Sequence, residues 1–271
     1  FLDSVINALP SDLARMRMLY LEENGYYHVI GDLERDEQGK VVFKRNDKGI
    51  VLLYYNPKTT EVSKNNSWIQ FEPPIKNAPK GLYRVTYDTV RSAGLGRTDD
   101  ASLVSVIVKK GFDISGKGKQ NTVVFRWTGR YADPDKNHEM AVMAAEYYGC
   151  QILHEEDVGD FPTYVKNKKK WRLMMSTPQY NSTLKVSGNA LFNVGVKIGE
   201  DPELKAHLIQ LFSTHLEREL GYNENGVPIR GIDTYDDLLI LDEIAQFGEG
   251  NFDNISAMLI HMLADKAEVE Q

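Results

Sequence analysis

Residues 86–108 read TYDTVRSAGLGRTDDASLVSVIV, and this segment contains the pattern that organises the chain. A β-rich run ends at Asp88, a glycine-punctuated turn follows, and Asp99 and Asp100 come just before a second β-rich run. Acids that flank the turn between two adjacent strands lie at one edge of the sheet. The segment therefore predicts two neighbouring strands with carboxylates gathered at their shared end.

The surrounding sequence predicts three strands, a helix and a fourth strand. The runs LYRVTYDT, SLVSVIVKK and NTVVFRWTG are typical of an antiparallel meander. A helix follows, because Asp133 suits the N-cap, Pro134 the first turn and Gly149 the position beyond the end. The next run is CQILHEE, residues 150–156. If the helix forms a right-handed crossover, this fourth strand is parallel to an earlier one.

Pairing the fourth strand with the first brings acids from both strands to one edge of the sheet. Adjacent strands are about 4.8 Å apart, so Asp88 and either Glu155 or Glu156 can share one cation. Either Asp99 or Asp100 would join them from the start of the neighbouring strand. Carboxylate ligands favour hard divalent cations over zinc.

The first 80 residues are interpreted as an appendage with its own helix and strands. PSDLARMRMLYLEENG predicts a helix, and YYHVIGDL, KVVFKR and IVLLYYN predict short strands. Prolines at positions 73, 74 and 79 in FEPPIKNAPKG break both helix and sheet and indicate a linker. We therefore predict two units, an N-terminal connector at 1–80 and the main domain at 81–271.

The C-terminal third is predicted to be helical, with Asp201 and Pro202 starting the first helix. TYDDLLILDEIAQFG and GNFDNISAMLIHMLADKAE predict two more helices. Asp253 lies in the first turn of the last one, where an acid complements the helix dipole, and the same explanation serves Asp236 and Asp237. From the helical pattern alone, Asp253 is either such an acid or part of the acidic site.

Composition indicates a globular chain with a sizeable core. Of 271 residues, 42% are hydrophobic and 26% charged, and no apolar run approaches the ~20 residues that span a bilayer. The single cysteine, Cys150, excludes an internal disulfide framework and fits a reducing cytosol. Because the chain begins with Phe, we expect it to be part of a longer polypeptide with a functional segment upstream.

The net charge of −7 argues against a uniformly basic nucleic-acid binder, but it leaves room for a local basic track. The segment YVKNKKKWRLM, here called the basic stretch, is either a solvated surface loop or a contact for a DNA backbone. Its cationic residues surround Trp171 and are Lys166, Lys168, Lys169, Lys170 and Arg172. Further lysines lie at or near the hairpin tip GFDISGKGK: Lys109, Lys110, Lys117 and Lys119.

Three segments, YDTVRSAGLGRTDDASLVSVIV, CQILHEEDVGDF and GNFDNISAMLIHML, resemble the acidic landmarks of one nuclease family. This family is the nuclease domain of the large terminase subunit of tailed bacteriophages, and the resemblance covers roughly residues 81–265. It implies an α/β fold with an RNase H-like mixed sheet and flanking helices, beside the N-terminal α/β appendage. It also implies an endonuclease that cuts concatemeric viral double-stranded DNA during genome packaging.

The resemblance assigns roles position by position. Asp88 matches the first-strand acid that bridges the metals, Glu155 the acid at the end of the fourth strand, and Asp253 the acid that opens the last helix. Secondary candidates for metal ligands are Asp99, Asp100 and Glu156. Family members often have a second acid after the last landmark, where this chain has Asn254.

The implied chemistry is hydrolysis of a phosphodiester with two Mg²⁺ or Mn²⁺ ions about 3.5–4 Å apart. The implied partners are double-stranded DNA, an upstream ATPase motor in the same polypeptide, the portal and the small terminase subunit, in the cytoplasm of an infected bacterium and without a membrane. The basic stretch would contact the DNA backbone, and we expect the same of the hairpin lysines Lys109, Lys110, Lys117 and Lys119.

Two other interpretations stay open. A different RNase H-like nuclease, such as a junction resolvase or a transposase core, would use similar acids. A non-catalytic domain that docks DNA or a portal protein would use its acids only as helix caps.

Overall fold

A seven-stranded mixed sheet lies at the centre of the computed structural model. The structure describes residues 8–25, 28–46, 67–89, 103–111, 121–131, 133–156, 160–178, 193–199, 201–248 and 252–269. The strands of this sheet are β1 (Val29–Arg35), β2 (Val41–Arg45), β3 (Trp68–Gln70), β4 (Tyr83–Asp88), β5 (Val104–Lys110), β6 (Thr122–Gly129) and β7 (Gln151–His154). Their spatial order is β2-β1-β3-β6-β5-β4-β7.

The pairing of β4 with β7 is parallel, whereas the other neighbouring strands in the sheet are antiparallel. Thr86 lies opposite Leu153, and Tyr87 lies opposite His154. The predicted meander β4-β5-β6 and the predicted return of the fourth strand to the side of the first are both confirmed. With helices on both faces, this mixed sheet has the RNase H-like α/β fold that the sequence predicts.

Six α-helices, two short 3-10 helices and a small hairpin complete the described chain. The α-helices are α1 (Ser11–Asn24), α2 (Pro134–Tyr148), α3 (Asp160–Asn167), α4 (Pro202–Glu217), α5 (Leu238–Ala245) and α6 (Asp253–Val269). The 3-10 helices are Trp171–Leu173 and Gly231–Thr234, and the hairpin strands are β8 (Glu219–Tyr222) and β9 (Pro228–Arg230). The crossover helix α2 starts and stops as predicted: the Asp133 side chain accepts a bond from the Asp135 N–H, and Gly149 adopts a left-handed φ of 65°. In the part of the chain described, no helix has the length and apolar character needed to cross a membrane.

The two faces of the sheet pack against different helices, and successive side chains of β4 point to opposite faces. Tyr83, Val85 and Tyr87 belong to the core shared with α2 and α3. On the opposite face, Arg84 reaches α6, where its Nη1 donates to Asp265 at 2.7 Å. The core on this second face contains residues of α1, α4, α5 and α6. We call it the α6 face.

The first 80 residues contribute to the same sheet as the rest of the chain. β3 pairs with β6 through Ile69↔Arg126, and α1 packs against the C-terminal part, where Arg17 donates to Asp236 at 2.7 Å. β3 is absent from the strands predicted above, and the predicted strand IVLLYYN lies outside the described residues. The division of the chain at residue 80 stays a prediction.

The outer edge of β7 is hydrogen-bonded to two later segments. Met175 N–H donates to Ile152 O, and Val196 N–H donates to His154 O, each at 2.9 Å. The N–H of Glu156 donates in turn to Val196 O at 2.7 Å. The short segments at 174–176 and 194–196 therefore cover the edge of this strand.

Lys109 and Lys110 at the end of β5 are buried in ion pairs. Lys109, 1% exposed, lies 2.5 Å from Asp265, and Lys110, 6% exposed, lies 2.5 Å from Glu72. The expectation that these two lysines contact DNA is therefore not met. Burial alone would raise the pKa of Asp265, but the charges of Lys109 and Arg84 outweigh it and hold that pKa below its usual value.

We predict that Asp265→Ala lowers the free energy of unfolding by about 3 kcal/mol or more, because it leaves the Lys109 ammonium buried without this carboxylate. The contribution of Asp265 is present at neutral pH and is lost as the pH falls below the carboxylate's unfolded-state pKa. Urea denaturation at pH 7 and at acidic pH measures both effects. Asp12→Ala is the control, since its pair with Arg15 is exposed and should contribute almost nothing. Equal losses in the two variants would contradict the buried-pair explanation.

Candidate active site at the carboxyl edge of β4 and β7

Asp88 and Glu155 are neighbours at the carboxyl ends of the two parallel strands. The Glu155 N–H donates to Tyr87 O at 2.9 Å, which continues the β4–β7 register by one position. By alternation both acids lie on the α6 face, with Arg84 and Leu153. Asp88 and Glu155 are each 8% exposed. The structure thus brings together the two acids that the strand order predicts to be adjacent.

Asp253 approaches the same edge from the first turn of α6. Its Oδ2 accepts a hydrogen bond from the Leu103 N–H at 2.9 Å. The next residue, Asn254, accepts one from the Ser105 hydroxyl at 2.7 Å, and Ser105 is the cross-strand partner of Asp88. Asp253 therefore makes a tertiary contact at the start of β5, beyond any interaction with its own helix dipole.

Glu155 and Glu156 have different surroundings. Glu155 Oε1 accepts the Gly199 N–H at 2.9 Å, whereas Glu156 Oε2 lies 2.8 Å from His154 Nε2. His154 packs edge-on against Phe161, on the face opposite α6. Burial lowers the pKa of His154, and its contact with Glu156 opposes that effect. Of the two glutamates, Glu155 shares the face of Asp88.

The donors at this edge suit a hard divalent cation in kind, because they are carboxylate oxygens. Within the described ranges, however, no three side chains among His, Cys, Asp and Glu form a group that could hold a metal ion. Asp88 and Glu155 are adjacent, and Asp253 is anchored at Leu103, at the start of β5, without completing such a group. The remaining candidate ligands from the turn, Asp99 and Asp100, lie outside the described residues.

A buried polar network lies beneath the acidic edge, and sequence reasoning missed it. Asn254 is fully buried, and its Oδ1 accepts the hydroxyls of Ser105 and Thr128, each at 2.7 Å. Its Nδ2 donates to Glu243 Oε1 on α5 at 2.5 Å. In the sequence, the one feature that pointed to this network was Asn254, which stands where the terminase family often has a second acid. Burial raises the pKa of Glu243 to about 8, against the lowering effect of its bonds from Asn254 and the Ile255 N–H.

A buried ion pair continues the network along the same face. The Arg126 guanidinium contacts both carboxylate oxygens of Asp237, and its Nη1 donates to the Thr128 hydroxyl at 2.9 Å. Asp237 also caps α5 through the Leu239 N–H at 3.0 Å. The sequence predicts Asp237 as a first-turn acid of α5, whereas the structure places it one position earlier, at the N-cap, with the buried ion pair as a second role. Asp236, for which the same first-turn role is predicted, precedes the cap and pairs with Arg17.

The basic stretch lies at the other end of β7 from the acids. Lys166 is in the last turn of α3, and Lys170 forms an ion pair with Glu146 of α2. The carbonyl of Arg172 accepts a hydrogen bond from Gln151 Nε2 at 3.4 Å, where β7 begins. Lys168 and Lys169 are exposed in the turn after α3, whereas Lys117 and Lys119 lie outside the described residues.

Fold and acidic edge together define an RNase H-like α/β protein with carboxylates at the ends of its central strands. No family model matches the sequence, and no curated protein is similar to it. Among solved structures, it is similar to the crystal structure of the large terminase nuclease from thermophilic phage G20c. The identity is 12%, the TM-score is 0.42, and the match covers 77% of this chain and 91% of that one. The fold assignment rests on the strand order and direction of this chain.

We predict that Glu243→Gln flattens the pH dependence of stability between about pH 5 and 8. Because the pKa of Glu243 rises from 4.5 to about 8 on folding, the folded protein holds a proton that the unfolded chain releases in this range. As the pH rises through this range, the free energy of unfolding of the wild type should therefore fall by up to about 1.4 kcal/mol per pH unit because of this group. Urea denaturation at four pH values measures the slope. A variant with the wild-type slope would contradict the assignment.

Proposed function

We propose that this protein is a divalent-metal-dependent endonuclease that hydrolyses phosphodiester bonds in double-stranded DNA. The observation that carries the proposal is the placement of Asp88 beside Glu155 at the carboxyl ends of two parallel strands, on one face. Two buried, adjacent carboxylates repel each other unless a cation or a proton lies between them. A rigid sheet that keeps such a pair together is suited to binding metal.

Asp88 and Glu155 would hold the metal, with Asp253 completing the set and with Asp99 or Asp100 as the auxiliary acid. Bound Mg²⁺ or Mn²⁺ would supply a polarised phosphate and a water of lowered pKa. The Gly199 N–H orients the Glu155 carboxylate, and the Leu103 N–H orients that of Asp253. These backbone donors hold each carboxyl group in a fixed orientation, and a carboxyl group must be deprotonated to bind a cation.

The finer assignment is the nuclease of a large terminase, which cuts concatemeric viral DNA during packaging. It is supported by the order of the three acidic landmarks around Asp88, Glu155 and Asp253 and by the RNase H-like strand order. With it come the proposed partners: an upstream ATPase motor of the same polypeptide, the portal and the small terminase subunit. The proposed location is the cytoplasm of the infected bacterial host.

The basic stretch is proposed to contact the DNA backbone away from the cut. The four residues of β7 separate it from the acids by roughly 13 Å at about 3.3 Å per residue. This is close to the ~12 Å width of the DNA major groove, so the lysines can contact one row of phosphates while the acids engage the other. Lys170 is the least available of them, because it already pairs with Glu146.

We predict that Asp88→Asn abolishes Mn²⁺-dependent plasmid cleavage and leaves the metal-free protein as stable as the wild type or slightly more so. Asn keeps the size of the side chain and removes one of two repelling charges. The rise in melting temperature that Mn²⁺ causes in the wild type should be lost as well. Agarose gels and melting curves with and without Mn²⁺ measure the two effects.

Asp32→Asn is the matched control, since Asp32 lies on β1 of the same sheet and should be silent. Cleavage and a full Mn²⁺ shift in Asp88→Asn would remove Asp88 from the site. A wild-type protein that binds DNA without cutting it in Mn²⁺ would favour the non-catalytic docking domain. Preferential cutting of branched DNA over supercoiled plasmid would favour a junction resolvase.

We predict that the double variant Lys168→Ala/Lys169→Ala weakens DNA binding equally across sequences. Each lost phosphate contact should reduce the slope of log K against log salt by about 0.9. Fluorescence anisotropy at several salt concentrations measures the slope, and the metal-induced melting shift should stay unchanged. Lys40→Ala/Lys205→Ala is the charge-matched control on exposed positions elsewhere. Identical slopes in both double variants would indicate that the basic stretch is a solvated surface loop without DNA contacts.

A further inference from the structure

Asn254 ties the first turn of α6 to two strands of the sheet. Its side chain is fully buried, so its amide needs protein partners for both its oxygen and its nitrogen. The Ser105 hydroxyl of β5 and the Thr128 hydroxyl of β6 both donate to Oδ1 at 2.7 Å. The amide orientation follows from the network, since hydroxyls donate to the oxygen while the nitrogen donates to a carboxylate.

Glu243 ties the same turn to a neighbouring helix. Its Oε1 accepts the Asn254 amide at 2.5 Å, and its Oε2 accepts the Ile255 N–H at 3.0 Å. The first four N–H groups of a helix lack partners within that helix. Glu243 on α5 therefore supplies a cap for α6 from outside it, and a single carboxyl group engages both the side chain and the backbone of this turn.

Asp253 immediately precedes the residues that this network holds. Asn254 is fixed to β5 and β6, Ile255 is fixed to Glu243, and consecutive Cα atoms are about 3.8 Å apart. The Asp253 carboxylate then has little freedom except in its own torsions, and its Oδ2 meets the Leu103 N–H at 2.9 Å. The position of this acid depends on the buried network more than on the helix to which it belongs.

We propose that Glu243 and Asn254 are positioning residues that hold the Asp253 carboxylate at the start of β5, two residues before Ser105, the cross-strand partner of Asp88. The proposal rests on the proposed function only in the role of Asp253 as a metal ligand. A buried Glu–Asn pair is a costly way to pack two helices, because both polar groups lose water that an apolar pair would not need to replace. Its benefit is a fixed register between α6 and the sheet at the acidic edge.

Amide hydrogen exchange tests the positioning without metal or DNA. The Leu103 amide reports the contact with Asp253, and the Ile107 amide at the centre of β5 reports opening of the whole sheet. We expect Glu243→Ala to speed exchange at Leu103 by about tenfold or more relative to Ile107. Glu243→Gln keeps one acceptor oxygen, which can serve the Ile255 N–H but not the Asn254 amide as well, and should restore part of the protection. Asp242→Ala is the control, since among the described residues the Asp242 side chain accepts a local bond from Gln246 at the same helix end.

Exchange that rises equally at Leu103 and Ile107 in Glu243→Ala would overturn the proposal, because that pattern describes general destabilisation. If Glu243→Ala does not fold, Ser105→Ala decides the question, since it removes one of the two hydroxyls on Asn254 and leaves the bond from Arg126 to Thr128 in place. The selective effect at Leu103 is expected there too, and its absence counts against the proposal. A wild-type protein without nuclease activity would refute the proposed function and leave this exchange result standing.

If the wild type cleaves DNA, Mn²⁺ binding by the same variants provides a second test. The Mn²⁺ dissociation constant of the folded protein, measured by titration calorimetry, should rise in Glu243→Ala and return toward the wild-type value in Glu243→Gln. A purely structural role would lower the melting temperature at every Mn²⁺ concentration and leave that dissociation constant unchanged. An unchanged dissociation constant in a variant with selective exchange at Leu103 would show that Asp253 is positioned by the network and does not bind the metal.

Discussion

The parallel pairing of β4 with β7 is the constraint on which the rest of the site depends. Antiparallel neighbours bring the end of one strand to the start of the next, whereas a parallel pair brings two ends together. The chain can make this pair only through a crossover, and α2, capped by Asp133 and stopped at Gly149, supplies it. Asp88 and Glu155 become neighbours as a direct result, 67 residues apart in the sequence but one strand spacing apart in space.

The two faces of the sheet handle polar groups differently. The face that packs against α2 and α3 is largely apolar and aromatic, with Trp68 stacked on Phe125 at 4.3 Å between ring centroids. The α6 face buries charges, and each buried cation is matched by a carboxylate: Arg126 by Asp237, and Lys109 by Asp265. Pairs of this kind add little net stability, since desolvation offsets most of their attraction. These ion pairs do fix the positions of the helices on the sheet. The acidic edge depends on the position of α6, because α6 carries Asp253.

The local elements were predictable, and the long-range partners were not. Strands β4 to β7 and helix α2 follow from alternation and capping residues, which act within a few positions of the chain. The three-residue strand β3 has too few positions to show a period, and its existence depends on β6 beside it. Lys110 looks like a surface residue in the sequence, and its burial depends on Glu72, a partner that no local pattern reveals. Asn254 shows the same limit at the site, because Glu243 became visible as its partner only in the fold.

The covered edge of β7 has a consequence for how the molecule behaves among its own copies. An exposed edge strand is a template on which a second chain can add a strand, and this is a common start of aggregation. Two alternate residues of β7, Ile152 and His154, already have their outward carbonyls bonded, and the N–H of Glu156, just beyond the strand, is bonded as well. Among the described residues the opposite border is β2, which ends in Lys44 and Arg45. Backbone pairing therefore protects one border of the described sheet and charge protects the other, so the strand that leads to Glu155 is closed to sideways addition.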